Sequence, residues 1–254
     1  MLKSGTILNR LYETLAHAAK DRRIADLRVG LSYVGVKLDD GTAGIAALVP
    51  DTSSQGCTVL KEAGTYAGAN AEDILVYLVD GPNSLYRAIG LAVANALLES
   101  PLDQAEDREA TTYFNLQPGE KVAMVGLFAP LVKRIEATGA ILTVIEKNPD
   151  RLEILSPDDR QKALKECDVA IITATTLLNN TFEEMTNLLG EPRLVATMGP
   201  STPLMPEIFH DTRITHLGGA VVKDTARVMQ IVSEGGGTPA LRPYLRFVNL
   251  IFNL

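Results

Sequence analysis

The feature that most constrains this chain is a rhythm in its second half. Residues 122–125, 141–145, 169–172, 194–197 and 214–217 are short apolar or β-branched runs, each followed by turn residues and then by a helical pattern. Runs with no polar alternation belong to strands buried on both faces, and strand–helix alternation produces a parallel sheet with crossover helices. A shorter strand is expected at residues 152–155. It ends in Ser156-Pro157-Asp158-Asp159, a helix start with Ser156 as cap, Pro157 at the first helical position and acids in the first turn.

The first half lacks this rhythm. Ile7, Leu8, Leu11, Leu15 and Ala18 recur at helical spacing, with Ser4 or Thr6 placed to cap the helix. LRVGLSYVGVKL then alternates, slips phase near Tyr33-Val34 and meets Asp40-Gly41 before GIAALV, which predicts a bulged β-hairpin. Residues 50–56 read as loop, and three helix-like stretches follow, at 59–66, 71–79 and 83–99. These features make residues 1–112 an α+β domain and residues 113–254 a Rossmann-like α/β domain, joined by the polar, acidic stretch SPLDQAEDREATTYFNLQPGEK.

Composition narrows the partners. A formal charge of −7 without a Lys/Arg cluster argues against nucleic acid, whose binding rests on phosphate neutralisation by a basic face. No apolar run is long enough to span a bilayer, and the N-terminus has no signal-peptide core, so a cytoplasmic protein that meets no membrane is expected. Cys57 and Cys167 form no CxxC pair, which speaks against a disulfide framework or zinc knuckle. Cys167 precedes an apolar run and is expected in or near the core. Cys57 lies in a Gly/Ser-rich loop and stays open as a reactive position.

In an open parallel sheet, ligands bind outside the carboxyl ends of the strands. The candidate ligand residues are therefore Gly126 after the first run, Glu146 after the second, Thr175, Thr176 and Asn179 after the DVAIITA run, Gly199, Ser201 and Thr202 after the LVATM run, and Gly218 and Gly219 after the last. Gly126 and Glu146 have the spacing that pairs a phosphate-loop glycine with a ribose-binding acid, but Phe128 stands where a second glycine belongs and the third is missing. In TATTLLNNT, Asn180 and Glu183 can start a helix, whereas Thr173, Thr175, Thr176 and Asn179 exceed what capping needs. Ligand contact and capping both remain open for this segment and for Gly-Pro-Ser-Thr-Pro, where Thr202 and Pro203 can begin a helix. His17, His210 and His216 share no metal-ligand spacing, and no Ser-His-Asp order or nucleophile elbow is recognisable. His17 is expected on the surface, His210 at a helix end and His216 in a strand near the crevice rim.

The segments VGVKLDDGTAGIA, NSLYRAIGLAVANAL, DVAIITATTLLNNTFEE, LVATMGPSTPLMPEIF and HLGGAVVKD together resemble a bacterial and archaeal family to which heavy-metal chelation is ascribed. The resemblance covers nearly the whole chain. It implies an N-terminal domain similar to that of enolase, a Rossmann-like C-terminal domain, and a site where the two meet for a heavy metal or a metal-bearing small molecule. By matching motifs it adds Asn83 and Asn95 to the cleft. With so few cysteines and histidines, an oxygen-rich site or a metal carried by a chelating ligand fits better than a soft-metal site. The leading expectation is a protein that holds a small polar or anionic, metal-chelating molecule between its domains. The alternatives are a nucleotide-type enzyme such as an S-adenosylmethionine-dependent methyltransferase, and a scaffold with a vestigial crevice. A homodimer is the expected assembly.

Overall fold

The structure is a computed structural model that describes residues 7–49, 58–98 and 110–252. The expected cap at Ser4 or Thr6, the loop with Cys57 and most of the acidic connection lie outside the described residues.

The first part opens with α1 (Ile7–Lys20), followed by β1 (Ile24–Val29), β2 (Tyr33–Leu38) and β3 (Ala43–Ala47). The three strands form an antiparallel sheet in sequence order. The phase slip read as a bulge is a real turn, with Gly30 donating to the Tyr33 carbonyl at 2.9 Å, so the run divides into two strands and makes a three-stranded meander. The turn before β3 lies where expected, with Gly41 in the left-handed region at φ 91°. In α1, Ala18 is exposed and Ala19 takes the buried position, beside Leu11 and Leu15.

Helices α2 (Ala71–Leu75), α3 (Tyr77–Asp80) and α4 (Ser84–Leu97) follow, while residues 59–66 form turns and no helix. Helix α4 lies against β3 at a glycine: a Cβ on Gly44 would fall 2.3 Å from the Ala92 carbonyl oxygen. The opposite face of the small sheet is covered from far along the chain. Tyr33 and Ile45 pack with Val228 and Val232, and the Tyr33 hydroxyl lies 2.7 Å from that of Thr238.

The second part runs α5 (Ala110–Phe114), β4 (Lys121–Val125), α6 (Ala129–Ala137), β5 (Ile141–Ile145), α7 (Pro157–Glu166), β6 (Val169–Thr173), α8 (Thr175–Leu178), α9 (Phe182–Asn187), β7 (Leu194–Met198), β8 (His216–Val222), α10 (Thr225–Ser233), α11 (Thr238–Leu241) and β9 (Leu245–Ile251). The six strands take the order β5-β4-β6-β7-β8-β9, parallel from β5 to β8, with β9 antiparallel on the edge. Residues 152–155 form no strand, although Ser156 caps α7 as expected by accepting from the Asp159 amide at 3.1 Å. Strand alternation divides the core. Val122 and Met124 face α5 and α6, whereas Ala123 and Val125 join a cluster continuous with α1, β2 and α4. The two sheets therefore share one hydrophobic core, and α10 closes the far side of the first.

Candidate functional site

The strand order places β5 and β6 on opposite sides of β4, so the crevice of this sheet opens above the ends of β4 and β6. The ends of β4 and of β7, beside β6, turn on glycine. Gly126 has φ 82°, and a Cβ there would sit 2.7 Å from Cγ2 of Thr173. Its missing side chain is thus filled by the neighbouring strand end, and the residue serves close packing. Gly199, after β7, differs. At φ 118° it keeps a left-handed turn, and the nearest atom to a built Cβ is Cε1 of Phe128 at 3.9 Å, so space remains open beside its backbone. The Ala174 amide donates to the Met198 carbonyl at 2.9 Å, which fastens the start of α8 beside that opening.

Glu146 is fully engaged. Its carboxylate accepts from the backbone amides of Leu127, Lys147 and Asn148 at 3.2, 2.8 and 3.2 Å, and pairs with Arg151 at 2.9 Å. Burial opposes ionisation, but the amides and Arg151 outweigh it and hold the carboxyl below the ordinary glutamate range. Arg151 also donates to the Leu127 carbonyl at 2.9 Å. The carboxylate that would accept ribose hydroxyls instead ties the β4 loop to the β5 loop. Arg151, not singled out in the sequence, could have been found as a cation five residues beyond the acid.

Residues 173–181 divide between architecture and exposure. The Thr176 hydroxyl is 3% exposed and donates to the Thr173 carbonyl at 2.6 Å, so it faces inward with Leu177 and Leu178 and not into the crevice as expected. Thr175 and Asn179 are half-buried. The Thr175 hydroxyl lies 3.0 Å from that of Thr173, and the Asn179 carboxamide oxygen accepts from Thr181 at 2.6 Å. Asn180 does not cap α9. It adopts φ 57° and Thr181 occupies the cap position.

Two hydrogen bonds draw the first part of the chain to these strand ends. The buried Ser201 hydroxyl accepts from the Ala47 amide at 2.7 Å, and Nε of Arg87 donates to the Leu178 carbonyl at 2.6 Å; within the first part, Ser84 donates to the Val49 carbonyl at 3.2 Å and ties α4 to the segment after β3. Asn83 caps α4, accepting from Leu85 and Tyr86 at 3.0 and 3.2 Å. Arg87, four residues on, is a cleft cation that the sequence signalled only by its helical spacing from Asn83.

Asn95 stands apart, twelve residues along α4 from Asn83, roughly 18 Å at the helical rise. Its amide donates to the Ile45 carbonyl at 2.9 Å while its carbonyl oxygen is buried without a hydrogen-bond partner. Asn95 and Thr202 line a separate cavity of about 700 Å³ with Arg22, Asp40 and Thr225. No helix begins at Thr202 and Pro203; the nearest helical turn is the 3-10 segment Pro206–Phe209. Gly218 and Gly219 lie inside β8 and are not a turn after it. Side chains there would strike the Met198 sulfur at 2.4 Å and Leu204 at 2.8 Å.

The described residues contain no group of three or more His, Cys, Asp or Glu that could hold a metal ion. His17 and His210 are exposed. His216 is wholly buried, away from the crevice rim, its Nε2 2.9 Å from Oδ1 of Asn249, and burial lowers its pKa. Burial pushes the Cys167 thiol up to about 11, which keeps it a neutral core residue. Among the described residues, then, the crevice offers hydroxyls, amides and backbone, a set that does not fit a resident soft metal. No described helix is long and apolar enough to cross a membrane.

Comparison with known proteins agrees with this architecture. A crystal structure of a DUF364-family protein of unknown function from Pyrococcus horikoshii superposes with a TM-score of 0.83 at 20% identity, over 97% of this chain and 100% of that one. Another from Desulfitobacterium hafniense gives 0.79 at 22% identity, over 96% and 98%. At these identities the likeness shows the fold. The uncharacterized protein MJ0500 of Methanocaldococcus jannaschii is 25% identical over 237 residues, covering 88% of each chain. Residues 12–98 match the family DUF4213 and residues 109–251 match DUF364, both described as "Putative heavy-metal chelation". The DUF364 match covers more than half of the sequence, and the chain belongs to that family.

Proposed function

We propose that this protein holds a small polar molecule, anionic or metal-chelating, in the cleft where the ends of β4, β6 and β7 meet the first turn of α4. The observation that carries the reading is Gly199: a left-handed backbone with open space beside it, facing Phe128, following the Met198 carbonyl that accepts from Ala174 just ahead of the half-buried Thr175. Such a backbone lets a ligand approach its amides, and hydroxyl and amide groups nearby can orient it. Arg87 brings a cation to the same junction. Because the described crevice residues lack thiol and imidazole ligands, a metal enters this reading as cargo already held by a chelating molecule. The engagement of Glu146 by three amides and Arg151 favours such a ligand over an adenosine-containing cofactor.

Native mass spectrometry of the full chain isolated from its own cells tests the reading. An adduct of constant mass is expected, lost or strongly reduced on Thr175→Val with the fold intact. An adduct-free protein whose melting temperature is also unmoved by citrate, phosphate and ferric citrate would refute it, since a ligand bound only by the folded state raises that temperature.

A further inference from the structure

The cavity of about 700 Å³ lined by Asn95 and Thr202 lies where the end of α4 meets the β2–β3 hairpin, the end of α1 and strand β8. Two polar groups on its wall are left over by the fold. Thr202 is 2% exposed, and among the described residues its hydroxyl has no hydrogen-bond partner. The Asn95 side-chain oxygen is likewise buried and unpartnered. Its amide nitrogen donates to the Ile45 carbonyl, which can only accept, so the oxygen is the group that remains. Both atoms can accept a hydrogen bond, and buried polar groups in that state destabilise the fold. The charges nearby agree. Arg22 pairs with Asp40 at 3.1 Å, and Asp40 also accepts from the amide and hydroxyl of Thr42 at 2.9 and 2.7 Å, so these two charges satisfy each other. Among the described side chains of the wall, Asp21 then leaves one carboxylate in excess. Helix α4 ends here with the negative end of its dipole and no basic residue in its last turn. A further cavity of about 570 Å³ shares Ala18, Leu97, Leu98 and Leu204 with the first and continues along Leu15 and Leu250.

We propose that this cavity binds a small organic amine, a protonated ammonium group carried on an apolar chain. An ammonium group has three N–H donors and no acceptor, which suits a wall whose unmatched groups are acceptors. It donates to the Asn95 oxygen and the Thr202 hydroxyl at the carbonyl end of α4, where a helix favours positive charge. The chain lies against Leu97, Leu98 and Leu204 and points into the second cavity, so that apolar surface leaves water on binding. An anion of the same length meets the excess carboxylate and the negative helix end and is rejected. The site shares no side chain with the cleft at Gly199 and Thr175 and stands without it.

Calorimetric titration of the full chain with hexylamine tests the site, with hexanoate as the anion of matching length. Hexylamine should bind saturably at one molecule per chain, and hexanoate should not bind. Shortening the probe to propylamine should weaken binding by up to about fourfold for each methylene removed. Thr202→Val should weaken hexylamine binding by roughly tenfold, and its melting temperature should be no lower than the parent's because the deleted hydroxyl has no partner. Asp21→Asn should weaken it by roughly two- to fivefold, as for an exposed ion pair. Ala18 is exposed on α1 and lines both cavities, so Ala18→Trp should block binding with the fold intact, which thermal unfolding checks. Absence of saturable hexylamine binding would overturn the proposal. So would equal binding of hexanoate, an isotherm indifferent to both Thr202→Val and Ala18→Trp, or one lost on Thr175→Val instead, which would place the amine in the cleft.

Discussion

The hydroxyl of Ser201, 1% exposed, accepts a 2.7 Å hydrogen bond from the backbone amide of Ala47 across 154 residues of sequence. Ala47 ends β3, the outer strand of the small sheet, so this amide is an edge donor that no further strand receives. One buried side chain thereby satisfies a half-buried backbone group and fixes the end of β3 over the end of β7.

Ser201→Ala should therefore lower stability. It leaves the half-buried Ala47 amide without its partner, a loss of about 1 kcal/mol. Urea unfolding of the variant should show that loss, and amide exchange at Ala47 should accelerate. Unchanged stability would mean that water takes over the hydrogen bond and that the junction is looser than the geometry indicates.

Thr176 and Thr175, adjacent in sequence, should respond differently. Thr176→Ala removes a buried hydrogen bond to the Thr173 carbonyl and should lower stability by about 1 kcal/mol while leaving ligand retention intact. Thr175→Val should leave the melting temperature of unliganded protein nearly unchanged and reduce retention of the cleft adduct. Calorimetry beside native mass spectrometry distinguishes the two, and a reversed pattern would assign the crevice to Thr176.

Glu146 should contribute to acid sensitivity. Its folded pKa lies below the ordinary value of 4.5, so the unfolded chain takes up the proton first as pH falls. The stabilisation is fully present well above 4.5 and is lost as pH drops through the folded value. Thermal melts of wild type and Glu146→Gln from pH 7 to pH 3 should converge toward the acid end, with wild type the more stable at neutral pH. A gap independent of pH would refute this role.

Cys167 should be unreactive in the folded chain. With its thiol buried and its pKa near 11, very little thiolate exists at neutral pH. In a Cys57→Ser background, modification by a disulfide reagent should be slow in buffer and prompt in denaturant. Rapid labelling in buffer would show that α7 and β6 open locally.

The parallel sheet was legible because its inner strands β4, β6 and β7 are buried on both faces and leave uninterrupted apolar runs, and Ser156-Pro157-Asp158-Asp159 announced α7 through local capping chemistry alone. Strand β9 was missed because it is an antiparallel edge strand, defined by its register on β8 and not by its own apolar pattern. The first sheet was misjudged for a related reason. A turn at residues 30–32 and a bulge within one strand leave the same phase slip, and only the Gly30–Tyr33 hydrogen bond separates them.

The candidate site follows the same division. That glycines and hydroxyl residues collect at strand ends is a property of local sequence, because turns there demand left-handed backbones and capping groups. Which of them face a ligand is decided by distance in three dimensions. Thr173 fills the space beside Gly126 while the space beside Gly199 stays open, Arg151 and three amides consume Glu146, and α4 carries Asn83 to one end of the interface and Asn95 to the other. The sequence determined the elements and the chemistry available at their ends. Packing between elements that the fold brings together decided which groups are satisfied and which are left to bind, because a hydrogen bond or a void depends on positions that no local pattern encodes.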